Sequence, residues 1–250
     1  MLTEERFARI ISAVDSNGSV TVTELMKLLG ASESTIRRDL DELDSEGRIT
    51  RVRGGAISKT GGLMTRDDEV SKRKGQKQKE KATIGSYAAS LIEPGDFVYI
   101  DAGTTTEKML PYIAEHDATF VTNAVNHAMV LASEGFQVYI LGGEFKRMTE
   151  AIVGEEALYS LNKYNFTKGF FGANGITKEE GFTTPELKEA MVKQRAFLSC
   201  KDRYVLADDS KFGTISAISF GDFDSATVIT DVITKRGFKG FKNIKEVADR

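Results

Sequence analysis

Gly30-Ala-Ser-Glu-Ser-Thr-Ile-Arg-Arg-Asp-Leu-Asp-Glu-Leu43 is the stretch from which the N-terminal part of the chain is read. Ile36, Leu40 and Leu43 recur at helical spacing and form one apolar stripe. Ser32 stands just ahead of them as an N-cap, its hydroxyl placed to accept a free backbone N–H. At ~100° per residue, Ser34, Arg37 and Arg38 point away from the stripe, with Thr35 at its flank. A helix with a dry back and a front of hydroxyls and guanidinium groups suits a DNA major groove, where those groups reach base edges and phosphates. A solvated face of an ordinary helix carries the same residue types, so the helix alone leaves both readings open.

The flanking residues add to the first reading. Glu4 to Val14 predicts a helix with Phe7, Ile10, Ile11 and Val14 on its apolar side, ended by Asn17-Gly18. Thr21-Val-Thr-Glu24 has the form of a capping box and opens a short helix through Leu25, Leu28 and Leu29. Gly30 breaks that helix and the next follows almost at once, as in a helix-turn-helix. Arg48-Ile-Thr-Arg-Val-Arg53 then alternates like a strand, and Gly54-Gly55 turns it back into Ala56-Ile57. This predicts a wing whose Arg48, Arg51 and Arg53 are placed to grip phosphates.

With 250 residues and 40% hydrophobic content the chain exceeds a typical single domain and can supply a substantial core. The formal net charge of −3 does not advertise nucleic acid, but the charge is uneven. Residues 1–59, the predicted DNA-binding domain, hold nine Lys/Arg and ten Asp/Glu, and six of those nine bases fall between Arg37 and Lys59. A local basic surface on a near-neutral body suits a regulator that must find one site without clinging everywhere. Cys200 is the only cysteine, which excludes an intrachain disulfide and points to a reducing compartment. No signal peptide or long apolar span is read, so a cytoplasmic protein that is neither exported nor membrane-embedded is expected.

Residues 60–80 read as a linker. Within Ser71–Lys81 six bases face one acid, the mark of a solvated linker running into a helix, or of an added phosphate contact. Residues 81–250 alternate short apolar strands with helices. A helix is expected over Ile84–Leu91, and strands at Phe97–Ile100, Phe120–Thr122, Val138–Leu141, Gly169–Asn174, Tyr204–Ala207 and Thr227–Thr230. The fold class is therefore α/β, a mainly parallel sheet behind an N-terminal winged helix, and ligands bind such sheets at the C-terminal ends of the strands.

Asp101-Ala-Gly-Thr-Thr-Thr106, at one such end, is the best ligand signal. Gly103 permits close backbone approach, while the hydroxyls of Thr104, Thr105 and Thr106 and the amides of the following helix face one point. That makes an anion site suited to a phosphate, unless the loop is only a capped connection. Asn123, Gly143 and Asn174 stand at other strand ends. Thr183-Thr184 offers further donors, and Lys211, just past a strand end, is within reach of an anionic ligand. Glu189 and Lys193 lie one turn apart on a helix from Glu186, a spacing that often gives only a surface ion pair.

Ala-Ser-Glu-Ser-Thr-Ile-Arg-Arg-Asp-Leu followed by Arg-Val-Arg-Gly-Gly-Ala resembles the winged helix-turn-helix of DeoR-family bacterial repressors, with Arg53 where the family usually has histidine. The Asp101–Thr106 loop, Thr122-Asn123, Leu141-Gly-Gly143, Gly181–Pro185, Val192-Lys193 and Ala207–Gly213 are similar to that family's sensor domain. The resemblance implies a fold like ribose-5-phosphate isomerase and a small phosphorylated sugar as effector. Within the family the chain looks most like the fructose-operon repressor group, in Met1–Arg6, Thr149–Gly154, Gly181–Pro185 and Ser210–Gly213. That implies fructose 1-phosphate as inducer. Where the group often has Arg-Thr-Gly, this chain has Met148-Thr-Glu150.

A sugar-phosphate isomerase tethered to DNA is the alternative. Such isomerases carry an Asp-Gly-Ala-Asp loop, and the comparable stretch here is Phe171-Gly-Ala-Asn174, whose amide offers no base for proton abstraction. Walker A, Gly-x-Ser-x-Gly and His-Glu-x-x-His motifs are missing, and His116 and His127 lack metal-ligand partners at a useful spacing. No catalytic residue, metal or cofactor is therefore expected. The sequence predicts a repressor of a fructose-uptake operon that binds operator DNA as a homo-oligomer, dimer or tetramer, because paired half-sites need at least two copies.

Overall fold

The computed structural model describes residues 3–17, 19–52, 54–58 and 70–247. Arg53 and residues 59–69, which include the first half of the expected linker, lie outside them.

The N-terminal part runs α1 (Thr3–Asn17), β1 (Ser19–Thr21), α2 (Val22–Leu29), α3 (Glu33–Ser45), β2 (Ile49–Val52) and β3 (Gly55–Ser58). The local signals act as their chemistry requires. Thr21 and Glu24 form a reciprocal capping box at the start of α2, and Gly30 ends that helix in the left-handed region at φ 62. Ser32 then caps α3, its side chain accepting from the Thr35 N–H at 3.3 Å. Phe7, Ile10 and Val14 of α1 close one core with Leu25, Ile36, Leu40 and Leu43, whereas Leu28 is exposed. Strand order is β1-β3-β2, all antiparallel. β1 was not expected; three residues become a strand because β3 offers an open edge and Val20 has a core to enter. Asp39, on the back of α3, is buried and makes a two-pronged ion pair with Arg6 of α1, with Nη2 to Oδ1 at 2.8 Å.

The chain continues as α4 (Val70–Gly75), α5 (Gln78–Ala89), β4 (Phe97–Ile100), α6 (Thr104–Glu107), β5 (Thr119–Thr122), α7 (Val125–Ser133) and β6 (Gln137–Ile140). A hairpin, β7 (Glu144–Lys146) and β8 (Ala151–Val153), leads into α8 (Glu155–Leu161) and β9 (Phe166–Gly172). Next come β10 (Gly175–Thr177), β11 (Gly181–Thr184), α9 (Leu187–Leu198), β12 (Cys200–Leu206), β13 (Ile218–Gly221), β14 (Thr227–Thr230) and β15 (Ile244–Glu246). Residues 70–80, read from composition as linker, are thus largely helical. α4 is joined to the sheet domain by the Val70 N–H on the Met148 carbonyl at 3.2 Å and by Lys74 to Glu107 at 3.2 Å.

The main sheet has seven strands in the order β15-β14-β12-β9-β4-β5-β6, and every pairing in it is parallel. Its inner strands β4, β5, β9 and β14 are buried on both faces, which is why they read as apolar runs, whereas the edge strand β6 exposes Gln137, Tyr139 and Ile140. Val98 and Ile100 enter the core with Ile84 and Ala88 of α5, while Tyr99 enters the opposite core with Val192 and Phe197 of α9. β9 divides its aromatics the same way, Phe170 to the first core and Phe171 to the second. A separate antiparallel sheet, β10-β11-β13, absorbs Thr183 and Thr184, to which the sequence analysis assigned no strand.

The chain leaves β4 in one direction, through β5 to β6, then returns to β9 on the other side of β4. The strand order therefore reverses between β4 and β9. Loops leaving neighbouring strands in opposite directions open a crevice at their C-terminal ends. Here that crevice lies between Asp101–Thr106 and Gly172–Asn174.

Candidate functional site

The front of α3 is the first candidate. Ser32, Ser34, Thr35, Arg37 and Arg38 share it, but they are not equally available. The Ser32 hydroxyl lies 3.0 Å from that of Ser34 and 2.9 Å from that of Thr35, so these hydroxyls are already linked. Arg37 is drawn back to Glu33 at 2.6 Å, a surface pair that a phosphate can displace at little cost. Arg38 is exposed and has no ion-pair partner among the described residues. In the wing, Arg51 is half-buried against Asp41 at 2.5 Å, and its backbone N–H donates to Asp44 at 2.9 Å. Arg51 thus ties the wing to α3, where the sequence expected a free phosphate contact. The expected role of Arg53 lies outside the described residues.

The second candidate is the cleft at the switch point, with about 620 Å³ up to its open mouth. Among the expected residues, Gly103, Thr104, Thr105, Asn174, Lys193 and Lys211 line it. Thr105 and Lys211 bring to it a hydroxyl and an ammonium without hydrogen-bond or ion-pair partners among the described residues. Asp101, Thr106, Asn123, Gly143 and Thr183 are not among its walls. Four of these five build the loops around the cleft instead. The Thr106 hydroxyl donates to the Asp101 carbonyl at 2.7 Å and the Gly103 carbonyl at 2.9 Å, clipping the loop shut. Asn123 accepts from the Ala102 N–H at 2.8 Å. Gly143 sits where a Cβ would meet the Val153 carbonyl oxygen at 2.6 Å, so only glycine fits beneath the β7–β8 hairpin. The Thr183 hydroxyl is fully buried between the Gly175 carbonyl and the Ser216 N–H. α6 has a single turn, so its amides contribute little of the field that a long helix would supply.

The field comes from side chains instead. Arg73, Lys77 and Lys81, from the stretch read as a solvated linker, line the cleft with Lys193 and Lys211. Lys81 is buried, donating to the Thr104 hydroxyl at 2.9 Å and the Arg73 carbonyl at 2.7 Å. Burial pushes its pKa down to about 8; nearby Asp208 opposes the shift, and the charges of Lys211 and Arg73 add to it. Lys77 pairs with Glu80 at 3.1 Å and Lys193 with Asp101, while Lys211 has no ion-pair partner among the described residues; cations gathered at one cleft favour an anion. The sequence shows only a run of charge there, and the break between α4 and α5 at Lys77, which brings Arg73, Lys77 and Lys81 to the cleft, leaves no periodicity to read.

Glu189 and Lys193, one turn apart, are both buried, and each is paired with a different residue. Lys193 pairs with Asp101 and donates to the Gly172 carbonyl at 3.2 Å, fastening β4 to β9 across the switch point. Burial raises the Asp101 pKa against the opposing pull of Lys193. Burial would also raise that of Glu189, but hydrogen bonds from Lys146 at 2.8 Å and Thr149 at 2.5 Å outweigh it and hold the carboxyl below its usual range. Phe171, in the stretch compared with the isomerase loop, faces the core against Tyr99 and Phe197, while Asn174 lines the cleft and lies 3.2 Å from the Thr184 hydroxyl. The carboxylates near the cleft are therefore engaged, and the group at its wall is an amide. Among the described residues no group of His, Cys, Asp or Glu stands where it could hold a metal. No described helix is long and apolar enough to cross a membrane.

An exposed reading helix with a wing, joined to a parallel α/β domain with a cationic cleft, defines a ligand-responsive DNA-binding protein. The chain belongs to the DeoR family of transcription regulators: its residues 6–61 match the DeoR-like helix-turn-helix domain and residues 76–232 the DeoR C-terminal sensor domain. It is 43% identical over 231 residues to an uncharacterized HTH-type transcriptional regulator, FruR, of Bacillus subtilis, covering 92% of this chain and 91% of that one. It is 35% identical to the lactose phosphotransferase system repressor of Staphylococcus aureus, over 98% of both chains. Among solved structures, ribose 5-phosphate isomerase A from Methanocaldococcus jannaschii superposes with a TM-score of 0.41 at 12% identity, over 54% of each chain.

Proposed function

We propose that the protein represses a sugar-uptake operon, that of fructose, and leaves its operator when a phosphorylated sugar, fructose 1-phosphate, enters the cleft. The carrying observation is the convergence of Arg73, Lys77, Lys81 and Lys211 on the Gly103–Thr105 loop. These are charged donors and a close-approach backbone, the groups that a phosphate dianion asks for. The fructose assignment is supported by the resemblance to fructose-operon repressors and by the relative at 43% identity. The roles of Ser32, Ser34, Thr35, Arg37 and Arg38 at DNA are part of the same reading, as is assembly of two or more copies on paired half-sites.

Three of the bases that reach the cleft, Arg73, Lys77 and Lys81, sit on α4, α5 and their junction, and α4 is the first described element after the wing. The junction residue Lys77 takes φ 52, a conformation that side-chain-bearing residues seldom adopt and that marks a bend. A ligand that draws Arg73 and Lys81 together acts on the segment leading from the DNA-binding domain. It releases operator only to the extent that it prefers the non-binding arrangement. Binding without turnover is part of the proposal, because proton abstraction needs a free base and Asp101 and Glu189 are both engaged.

The test is a thermal-shift screen of the full chain against sugar phosphates and free sugars, followed by operator titration with each hit. Fructose 1-phosphate should raise the melting temperature and release operator, and free fructose should do neither. Release by an unphosphorylated sugar alone would sink the anion-site reading, and release by a different sugar phosphate would sink only the fructose assignment.

A further inference from the structure

A smaller recess of about 260 Å³ shares the Ala102–Gly103 backbone with the cleft. Val70 and Lys74 of α4 border it, together with Glu107, Asn126, His127 and Glu150. Resting on the reading of the cleft as a phosphate site, we propose that this recess takes the hydroxyl-bearing end of the same ligand, with His127 and Asn126 selecting the polyol.

His127 is 3% exposed, and its Nδ1 has no hydrogen-bond partner. Burial, with the charge of Lys74, holds its pKa down at about 3 against the opposing effect of a hydrogen bond with the Gly103 backbone, so the ring is neutral. A neutral imidazole carries one N–H and one bare nitrogen, so Nδ1 needs either an acceptor or a donor, depending on the tautomer. A hydroxyl supplies either, whereas a phosphate dianion only accepts and an ammonium only donates. Asn126 donates from Nδ2 to Glu107 at 2.9 Å, which leaves its carbonyl oxygen to accept from a hydroxyl.

The charges divide in the same sense. The cleft sets Arg73, Lys77, Lys81, Lys193 and Lys211 against Glu189 and Asp208, while the recess sets Lys74 against Glu107 and Glu150. A dianion favours the first and is repelled by the second, and an uncharged polyol suits the second. A ligand with phosphate at one end and hydroxyls at the other therefore has one orientation across Ala102–Gly103. Glu150 completes the border of the recess. It adopts φ 55, a conformation that glycine enters freely, and its carboxylate meets Lys74 at 3.4 Å.

The experiment is isothermal titration of the full chain with two probes, fructose 1-phosphate and inorganic phosphate. His127→Leu removes both ring nitrogens, His127→Gln keeps a donor and an acceptor, and Asn126→Ala alters a half-buried residue that should not endanger the fold. His127→Leu and Asn126→Ala are expected to weaken fructose 1-phosphate about tenfold each while leaving inorganic phosphate within about twofold of wild type. His127→Gln should recover most of the loss. Wild-type affinity for fructose 1-phosphate in both loss variants would mean that the recess holds only water, and would overturn the inference. Equal loss of both probes in variants that melt like wild type would do the same, by assigning a structural role. Equal affinity of the wild-type protein for the two probes would overturn the recess alone, and binding of neither probe would overturn the phosphate reading beneath it.

Discussion

In α3 the arginines stand on solvent with acids beside them, Arg37 against Glu33 and Arg51 of the wing against Asp41, while Arg38 is left open. In α4 and α5 Arg73 and Lys81 turn the other way, with Lys81 4% exposed beneath the Gly103–Thr105 loop, while Lys77 and Lys79 stay on solvent. In the function proposed above, two basic stretches of one chain serve opposite kinds of phosphate, a polymer outside and a small molecule inside. The difference lies in what stands behind each helix. α3 has a packed apolar stripe at its back and can present its front to a long surface. The α4–α5 segment lies across the open end of a parallel sheet, where strand-end loops supply hydroxyls and amides but little charge. Its cations therefore complete a site that the sheet only begins.

The comparison would break first at the back of α3. Arg6 and Asp39 fix that helix against α1, and removing one partner leaves the other buried without a counter-charge. Arg6→Ala should destabilise the N-terminal domain by about 3–5 kcal/mol. Chemical denaturation, followed through a probe placed in that domain, measures the loss, and an unchanged midpoint would show that solvent already screens the pair. The next effect in size is on the front. Arg38→Ala should weaken operator binding by ~1–3 kcal/mol if it reads a base, with little change in stability. Gel-shift titration at fixed salt decides it, and wild-type affinity would remove Arg38 from recognition.

The two regions also differ in how far the sequence disclosed them. The winged helix was legible because its signals are local: Thr21 with Glu24, Gly30 at a left-handed cap, and Ser32 ahead of Ile36 each act within one turn of themselves. β1 was not legible, since three residues become a strand only through a partner far along the chain, as Thr21 pairs with Gly55 and Val20 with Ala56. The central strands were legible as apolar runs, and β4 and β14 fall where the runs place them. β11 was not, because Gly181-Phe-Thr-Thr184 looks like a loop until β10 and β13 flank it. In the cleft, Gly103–Thr105 and Lys211 could be named from their place after strands. The stretch 71–81 could not, because a run of charge does not state which way it faces. Glu189 and Lys193 misled for a related reason: spacing of four predicts that two side chains can meet, but Lys146 and Asp101, far off in sequence, offered each a better partner.

A smaller effect tests the inner region. Thr105→Ala or Lys211→Ala should give a protein that holds operator as wild type does but no longer lets go on adding fructose 1-phosphate. Tenfold release corresponds to ~1.4 kcal/mol of coupling, and by linkage operator must weaken the ligand by the same factor. Operator titration with and without ligand reads this directly. A variant released at the wild-type ligand concentration would place the effector elsewhere.

The smallest effect is a pH dependence that belongs to the inner stretch alone. Lys81 titrates at about 8 when its only neighbours are protein groups, and an arriving phosphate favours its charged form. Ligand binding must therefore take up a proton near that pH, and affinity must fall as pH rises through it. A phosphate monoester, with its second pKa near ~6, stays dianionic throughout this range, so the fall belongs to the protein. A single group of that pKa gives about a twofold loss between roughly pH 7 and 8, steepening towards tenfold per unit above. The unliganded fold shows the opposite sign. Between about 8 and 10.5 the folded chain has shed a proton that the unfolded chain still holds, so stability rises with pH across that window. Operator affinity, resting on arginines that stay charged, should not share the profile. Calorimetry in two buffers of different ionisation enthalpy counts the proton, and Lys81→Arg, if it binds ligand, should flatten the curve. A ligand affinity independent of pH from 7 to 9 would mean that Lys81 keeps its proton in the free protein, and that the cleft is less starved of counter-charge than its burial indicates.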